Sequence, residues 1–331
     1  MRVLSLFDGI SCAYQSLIRA GIPVDVYYTS EIDKYTEIVS RNHVPDAIRL
    51  GDVCGVKASD VGEIDLLISG FPCTQLSQSN TKDRSGLEGA QSKLFWESIR
   101  IHNEVKPKWF IYENVASMSK ENEKIITDTL GVEPVMLNAS LVSAQVRKRL
   151  FWTNIPVAPL EDKGIMLASV LQPPEEVDIK YFVSQQAVDT YTKRKGTPKK
   201  VCTDKSSSLG ASSYKGYQGD GCPIVSTPIR LGDIGKTVQS QRVYSPEGKS
   251  VNLVSGGGGQ GAKIGLYLVD KPDGTYGIRR LTPIECERLM GLPDLYSEGL
   301  SDTQRYKALG NAFHVDIVAH ILKGIQAELA R

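Results

Sequence analysis

Short apolar runs and longer amphipathic stretches take turns along the first half of the chain, and that alternation predicts its elements. "RVLSLF" (2–7), "VDVYYTS" (24–30), "IDLLIS" (64–69) and "KWFIYEN" (108–114) are strand-length runs rich in β-branched and aromatic residues. Between them, "CAYQSLIRAG" (12–21), "DKYTEIVSRNH" (33–43) and "KLFWESIRIHNEV" (93–105) carry helical spacing, the first ending at Gly21. Strands alternating with helices predict an α/β fold with a doubly wound, mostly parallel sheet. From about residue 175 the pattern breaks into short runs among Gly, Ser, Lys and Tyr, with turn signals such as "KGYQGDGCP" (215–223) and "SGGGGQG" (255–261). That texture predicts a smaller, irregular, mainly β domain. "RRLTPIECERLMGLP" (279–293) and "NAFHVDIVAHILKGIQAEL" (311–329) return to helical spacing, with Val315, Val318, Leu322 and Ile325 on one face.

Composition narrows the class. The 331 residues are 41% hydrophobic, and no apolar run approaches the roughly 18 residues of a membrane span. At the N-terminus, Asp8 interrupts the apolar residues too early for a signal peptide, so a cytoplasmic protein is expected. The six cysteines (Cys12, Cys54, Cys73, Cys202, Cys222, Cys286) contain no C-x-x-C spacing, which argues for reduced thiols and against a metal site. With a net charge of +1, a polyanionic partner would have to be gripped by local basic surface rather than by bulk attraction.

In a doubly wound sheet, ligands bind beyond the carboxyl ends of the strands, and four such positions carry suitable chemistry. After the first strand, Gly9 of "FDGIS" allows close backbone approach and Asp8 offers a carboxylate. Glu31 follows the second strand, where an acid bonds ribose hydroxyls, and Asp52 of "GDV" is placed to accept from an adenine amino group. With G-x-G-x-x-G missing, a nucleoside without a pyrophosphate fits best, and S-adenosylmethionine is the common one. The fourth is Cys73, which follows Pro72 at the end of an apolar run, with Glu113 on the same rim after the next strand. A thiol beside a carboxylic acid suits covalent addition to an electron-poor heterocycle.

"FDGIS", "SEID", "GDV", "GFPC", "ENV", "QVRKR", "RRLTPIECERLMGLP" and "LGNAF" stand in the order of the motifs of C5-cytosine DNA methyltransferases. The chain resembles that family over residues 1–156 and 275–325, with the look of its bacterial and phage members. The resemblance implies an enzyme that flips a cytosine out of duplex DNA, adds Cys73 to C6, and methylates C5 from S-adenosylmethionine, leaving S-adenosylhomocysteine. Glu113, Arg147 and Arg149 would be catalytic with Cys73. The cofactor set would be Phe7, Asp8, Gly9, Ile10, Glu31, Ile32, Asp52, Val53, Gly70, Pro72, Asn311 and Ala312. The sheet would then be of the S-adenosylmethionine-dependent methyltransferase type, in a discontinuous catalytic domain (1–165 and 300–331) around a target recognition domain (166–299).

Duplex DNA is the expected partner, with neither membrane nor metal. The basic run "KRKGTPKK" nominates Lys193, Arg194 and Lys195, and Arg242 is a further candidate for a base edge or phosphate. The polar stretch 74–93 is expected to close over the flipped base, with Ser85 entering the vacated space and Lys82 and Arg84 gripping phosphate. A monomer is expected, with room for a restriction endonuclease acting on the same site. Two alternatives stay open: a transfer-RNA methyltransferase of the same fold, which the long insert between "QVRKR" and "RRLTP" disfavours, and a catalytically silent DNA-binding protein, which the presence of both Cys73 and Glu113 disfavours.

Overall fold

The structure is a computed structural model of the chain, and it describes residues 1–72, 93–184, 227–234, 241–254 and 265–329. Packing divides the chain into two compact units, one of residues 1–138, 148–160 and 312–331, the other of residues 139–147 and 161–311.

In the first unit, β1 (Arg2–Leu6), β2 (Val26–Ser30), β3 (Ile48–Arg49), β4 (Leu66–Ser69), β5 (Trp109–Val115), β6 (Val135–Asn138) and β7 (Lys148–Thr153) form one sheet in the order β3-β2-β1-β4-β5-β7-β6. All neighbours are parallel except β7, which runs antiparallel to both β5 and β6. The chain order reverses at β1, with β2 on one side and β4 on the other, which is where open α/β sheets bind ligands. Leu6 pairs with Ser30 and with Ser69, so β1, β2 and β4 finish level, while β5, whose Tyr112 pairs with Ser69, runs on to Val115 alongside β7.

The crossover helices follow the apolar pattern. They are α1 (Cys12–Ala20), α2 (Lys34–His43), a single turn α3 (Ala58–Val61), α4 (Lys93–Val105) and α5 (Lys120–Leu130). Gly21 closes α1 in the left-handed region at φ 68°, and the Asp33 side chain caps α2 by accepting from the Tyr35 amide. One core gathers Leu4, Leu6 and Leu67 with Phe95, Tyr112 and Trp152, all fully buried. Each such side chain contributes roughly 1.5–3 kcal/mol by leaving water.

In the second unit, β8 (Ile229–Asp233), β9 (Arg242–Ser245), β10 (Leu266–Asp270) and β11 (Tyr276–Arg279) form a sheet in the order β11-β10-β9-β8. Then come α6 (Pro283–Leu289) and α7 (Asp302–Asn311). Thr282 and Glu285 form a capping box on α6, and buried Glu285 also takes both Nη groups of Arg279, at 2.6 and 2.8 Å.

The last helix, α8 (Val315–Leu329), belongs to the first unit and lies against α1. Val315, Val318, Leu322 and Ile325 are all buried, as their spacing predicts. The helical reading of "NAFHV" is corrected, however: Asn311 closes α7, and residues 312–314 are non-helical. Phe313, in this break, is buried. A Cβ built on Gly70 would lie 2.7 Å from the Phe313 ring, so the ring occupies the space that glycine leaves after β4. Helix α7 itself is polar along most of its length, which hid it from periodicity. Among the described residues, no helix is long and apolar enough to cross a membrane.

Candidate active site

The turn after β1 is held in an uncommon shape. Phe7, Gly9 and Ser11 all take positive φ, at 58°, 60° and 60°. For Phe7 and Ser11 this is a strained conformation that surrounding contacts must hold in place. Asp8 supplies them. Its carboxylate is buried and accepts from Ser5 Oγ at 2.6 Å, Tyr27 OH at 2.6 Å and Ser11 Oγ at 2.5 Å. Burial pushes this carboxyl above the ordinary carboxylate range, against the downward pull of those hydroxyls. The open face of the turn is at Gly9, where an added Cβ would meet nothing within 4 Å.

Glu31, just past β2, ties into the same turn. Its Oε2 accepts from the Gly9 amide, and its Oε1 from the amides of Ile32 and Asp33, each at 2.8 Å. A carboxylate offers about four acceptor positions, so three are taken and room remains for a further hydroxyl. Beside it, Ile32 is 73% exposed, an apolar side chain standing in solvent at a strand's carboxyl end. Asp52 is exposed and caps a short turn through the Cys54 amide, 2.9 Å away. An open glycine, an exposed aliphatic side chain and two acids that follow β1, β2 and β3 are a donor set suited to an adenosyl group. Phe7 and Pro72 are partly exposed on this unit. By contrast Ile10, Val53 and Ala312 lie in the core, and Gly70 is covered by Phe313. Asn311 is exposed and falls in the second unit.

Two strands over, Glu113 on β5 meets Arg149 on β7. Val115 pairs with Arg149 and Glu113 with Phe151, so Glu113 and Arg149 are diagonal neighbours on one face of the antiparallel pair. Arg149 Nε lies 2.8 Å from Glu113 Oε1, with side chains 12% and 14% exposed. Arg147, two residues earlier, is directed elsewhere. It is buried in the second unit, donating to the carbonyls of Leu253 and Gly310 at 3.2 and 3.1 Å and to Asn252 Oδ1 at 3.3 Å.

Asn114 escapes a sequence reading. It is buried, and its Nδ2 donates to the Phe71 carbonyl at 3.0 Å. Nothing in its spacing marks it; only its place inside "ENV" does. Tyr27 was equally silent, a strand residue whose hydroxyl turns out to hold Asp8.

Of the DNA candidates, Arg242 opens β9 opposite Asp233 of β8 and is half-buried. Cys73, Lys82, Arg84, Ser85, Lys193, Arg194 and Lys195 lie outside the described residues, as does the expected lid at 74–93 apart from Lys93, the first residue of α4. Among the described residues, no cluster of His, Cys, Asp or Glu could hold a metal ion.

Comparison with known proteins extends over the whole chain. The family model described as C-5 cytosine-specific DNA methylase matches residues 1–327. The type II methyltransferase M.HhaI of Haemophilus parahaemolyticus is 27% identical over 348 aligned positions, covering 99% of this chain and 95% of its own. The orphan methyltransferase M.SPRI of Bacillus phage SPR is 22% identical, covering 98% of this chain and 97% of its own. Among solved structures, the Entamoeba histolytica methyltransferase EhMeth superposes with a TM-score of 0.70 at 14% identity, covering 99% of this chain and 98% of its own, a likeness of fold.

Proposed function

Because the chain belongs to the C-5 cytosine-specific DNA methylase family, we propose that it methylates C5 of a cytosine flipped out of a specific duplex DNA sequence. The observation that carries this reading is the Glu113–Arg149 pair at the strand ends, on the rim that also leads through Phe71 and Pro72 to Cys73. We assign catalysis to residues 1–165 and 300–331 and target reading to residues 166–299.

The chemistry follows from what the ring requires. A base within the stack hides C5 and C6, so the target must leave the duplex. The Cys73 thiolate then forms a bond to C6, and the electron pair of the C5–C6 double bond becomes nucleophilic at C5. Glu113 faces the N3 and amino edge and, acting as the carboxylic acid, gives N3 a proton as the thiolate adds, so that the negative charge passes to its carboxylate beside Arg149. Arg149 orients Glu113 and offers its remaining N–H groups to the base. S-adenosylmethionine, when bound, supplies an electrophilic methyl group. A base then removes the C5 proton, the C6–S bond breaks, Cys73 departs as thiolate and the ring regains its aromaticity.

For the cofactor, Glu31 would take a ribose hydroxyl, Ile32 would cover the adenine face, Asp52 would accept from the adenine amino group, and the open backbone at Gly9 would let the methionine portion approach. Lys193, Arg194, Lys195 and Arg242 are proposed for DNA phosphates and base edges.

Transfer of tritium from S-adenosylmethionine tests the proposal. Label should enter duplex DNA and stay in cytosine after nuclease digestion. Label entering transfer RNA instead would select the RNA alternative, and binding of DNA without any transfer would select the silent one.

A further inference from the structure

Two side chains from β2 and its end hold the turn that carries Gly9. Glu31, just past the strand, accepts from the Gly9 amide at 2.8 Å. Tyr27, within the strand, donates its hydroxyl to the carboxylate of the preceding residue, Asp8, at 2.6 Å. Tyr27 pairs with Val3, three residues before β1 and β2 finish at Leu6 and Ser30, and the length of its side chain carries the hydroxyl up to the turn. Its ring is buried and packs edge-on against Tyr14 of α1, with centroids 5.0 Å apart, so the hydroxyl is delivered from a fixed position.

Asp8 depends on that bond. Its carboxylate is 3% exposed, and burial works against the ionised form while the hydroxyls of Ser11, Ser5 and Tyr27 support it. Ser5 and Ser11 stand three residues to either side of Asp8 and belong to the turn's own segment. Ser11 opens α1 yet makes no side-chain cap there, its hydroxyl donating to Asp8 instead. Of the three donors, Tyr27 is the one that comes from another strand, and it fixes the carboxylate relative to the sheet. Water cannot replace a donor at so buried a site, and without it less remains to hold Phe7 and Ser11 at positive φ. A shift of Asp8 passes to the Gly9 amide, the next in the chain, and from there to Glu31.

We infer that Tyr27 is a positioning residue for cofactor binding: through its hydrogen bond to Asp8 it holds the turn in the shape that sets Gly9 and Glu31 for S-adenosylmethionine. This rests on the reading that S-adenosylmethionine binds over that turn.

The test is Tyr27→Phe, which keeps the ring against Tyr14 and removes the hydroxyl alone. The dissociation constant for S-adenosylmethionine, by calorimetry well below the melting temperature, should rise about tenfold, the scale of one hydrogen bond to a charged group. In the cofactor-free protein the amides of Gly9 and Ser11 should exchange with solvent faster than in wild type. At saturating cofactor kcat should move little, so that the loss falls on cofactor affinity. Asp8→Ala should weaken the cofactor too, and adding Tyr27→Phe to it should change nothing further, because the hydroxyl has lost the group it acts through. The affinity and exchange of Tyr27→Phe decide the matter alone should Asp8→Ala not fold. A lower melting temperature with wild-type cofactor affinity would mark a merely structural role and overturn the inference. So would unchanged exchange at Gly9 and Ser11, or losses from Tyr27→Phe and Asp8→Ala that simply add. A wild-type protein that binds no S-adenosylmethionine would overturn the cofactor reading itself, a result distinct from the others.

Discussion

Arg149 reaches Glu113 along the diagonal of an antiparallel strand pair, Nε to Oε1 at 2.8 Å, with both side chains mostly shielded from water. The pair joins the carboxyl end of a parallel strand to the start of the sheet's antiparallel strand, so the sheet topology itself brings two separate sequence motifs together.

If the two act as one unit on the base, their substitutions should not add. Glu113→Gln and Arg149→Ala are each expected to lower kcat by about a hundredfold or more, the scale for losing a group that stabilises developing charge. The double variant should be little worse than either single one, giving a coupling of about 2.7 kcal/mol, nearly the whole of one single loss. Fully additive losses would mean that the ion pair has no shared role in catalysis.

Glu31 has two tasks, holding the Gly9 turn and offering an acceptor to a ribose. Glu31→Ala should weaken S-adenosylmethionine by about tenfold to a hundredfold in calorimetry, since a charged hydrogen bond contributes roughly 1.5–3 kcal/mol. An unchanged dissociation constant would leave Glu31 as a turn anchor alone.

Asp8 should shape stability against pH. Its carboxyl is raised above 3.8 in the folded chain, chiefly by burial. A raised carboxyl favours folding while protonated in both states, and that contribution fades as pH climbs from the unfolded value near 3.8 through the higher folded value. Urea unfolding of wild type and Asp8→Asn across this window should show the wild type losing stability with rising pH relative to the variant. A difference that is flat, or that grows in the wild type's favour with pH, would contradict the assignment.

The close fit of Gly70 under Phe313 gives a fourth test. Gly70→Ala puts a Cβ 2.7 Å from the ring and should cost about 1–3 kcal/mol in urea unfolding, as overpacking does. Adding Phe313→Leu should recover part of that loss. No loss in Gly70→Ala, or no recovery in the double variant, would mean that the ring is free to move aside.

What could be read in advance followed from periodicity and order. Helices α1, α2 and α4 and strands β1, β2, β4 and β5 stand where alternating apolar runs place them, and the strand-end rule brought Gly9, Glu31 and Asp52 forward before any coordinates. Local pattern says nothing of long-range polar ties. Asp8 looks like a ligand because it follows a strand; only Ser5, Ser11 and Tyr27 converging on it make it a buried brace for the turn. Arg147 and Arg149 look equivalent in "QVRKR", yet one side chain binds backbone carbonyls in the second unit and the other a carboxylate in the first. Helix α7 was hidden because its apolar residues form no stripe, and the break at residues 312–314 because no local breaker residue marks it.

The central claim is that Cys73 bonds to a cytosine ring, and one measurement reaches it directly. Duplex DNA synthesised with 5-fluorocytosine in place of cytosine should, with S-adenosylmethionine, yield a protein–DNA adduct that survives denaturant, because fluorine at C5 cannot leave as the proton does. Digestion and mass spectrometry should place the modified nucleotide on the peptide containing Cys73, and Cys73→Ser should abolish it. No stable adduct from the wild-type protein, or an adduct mapped to any other residue, would contradict the account.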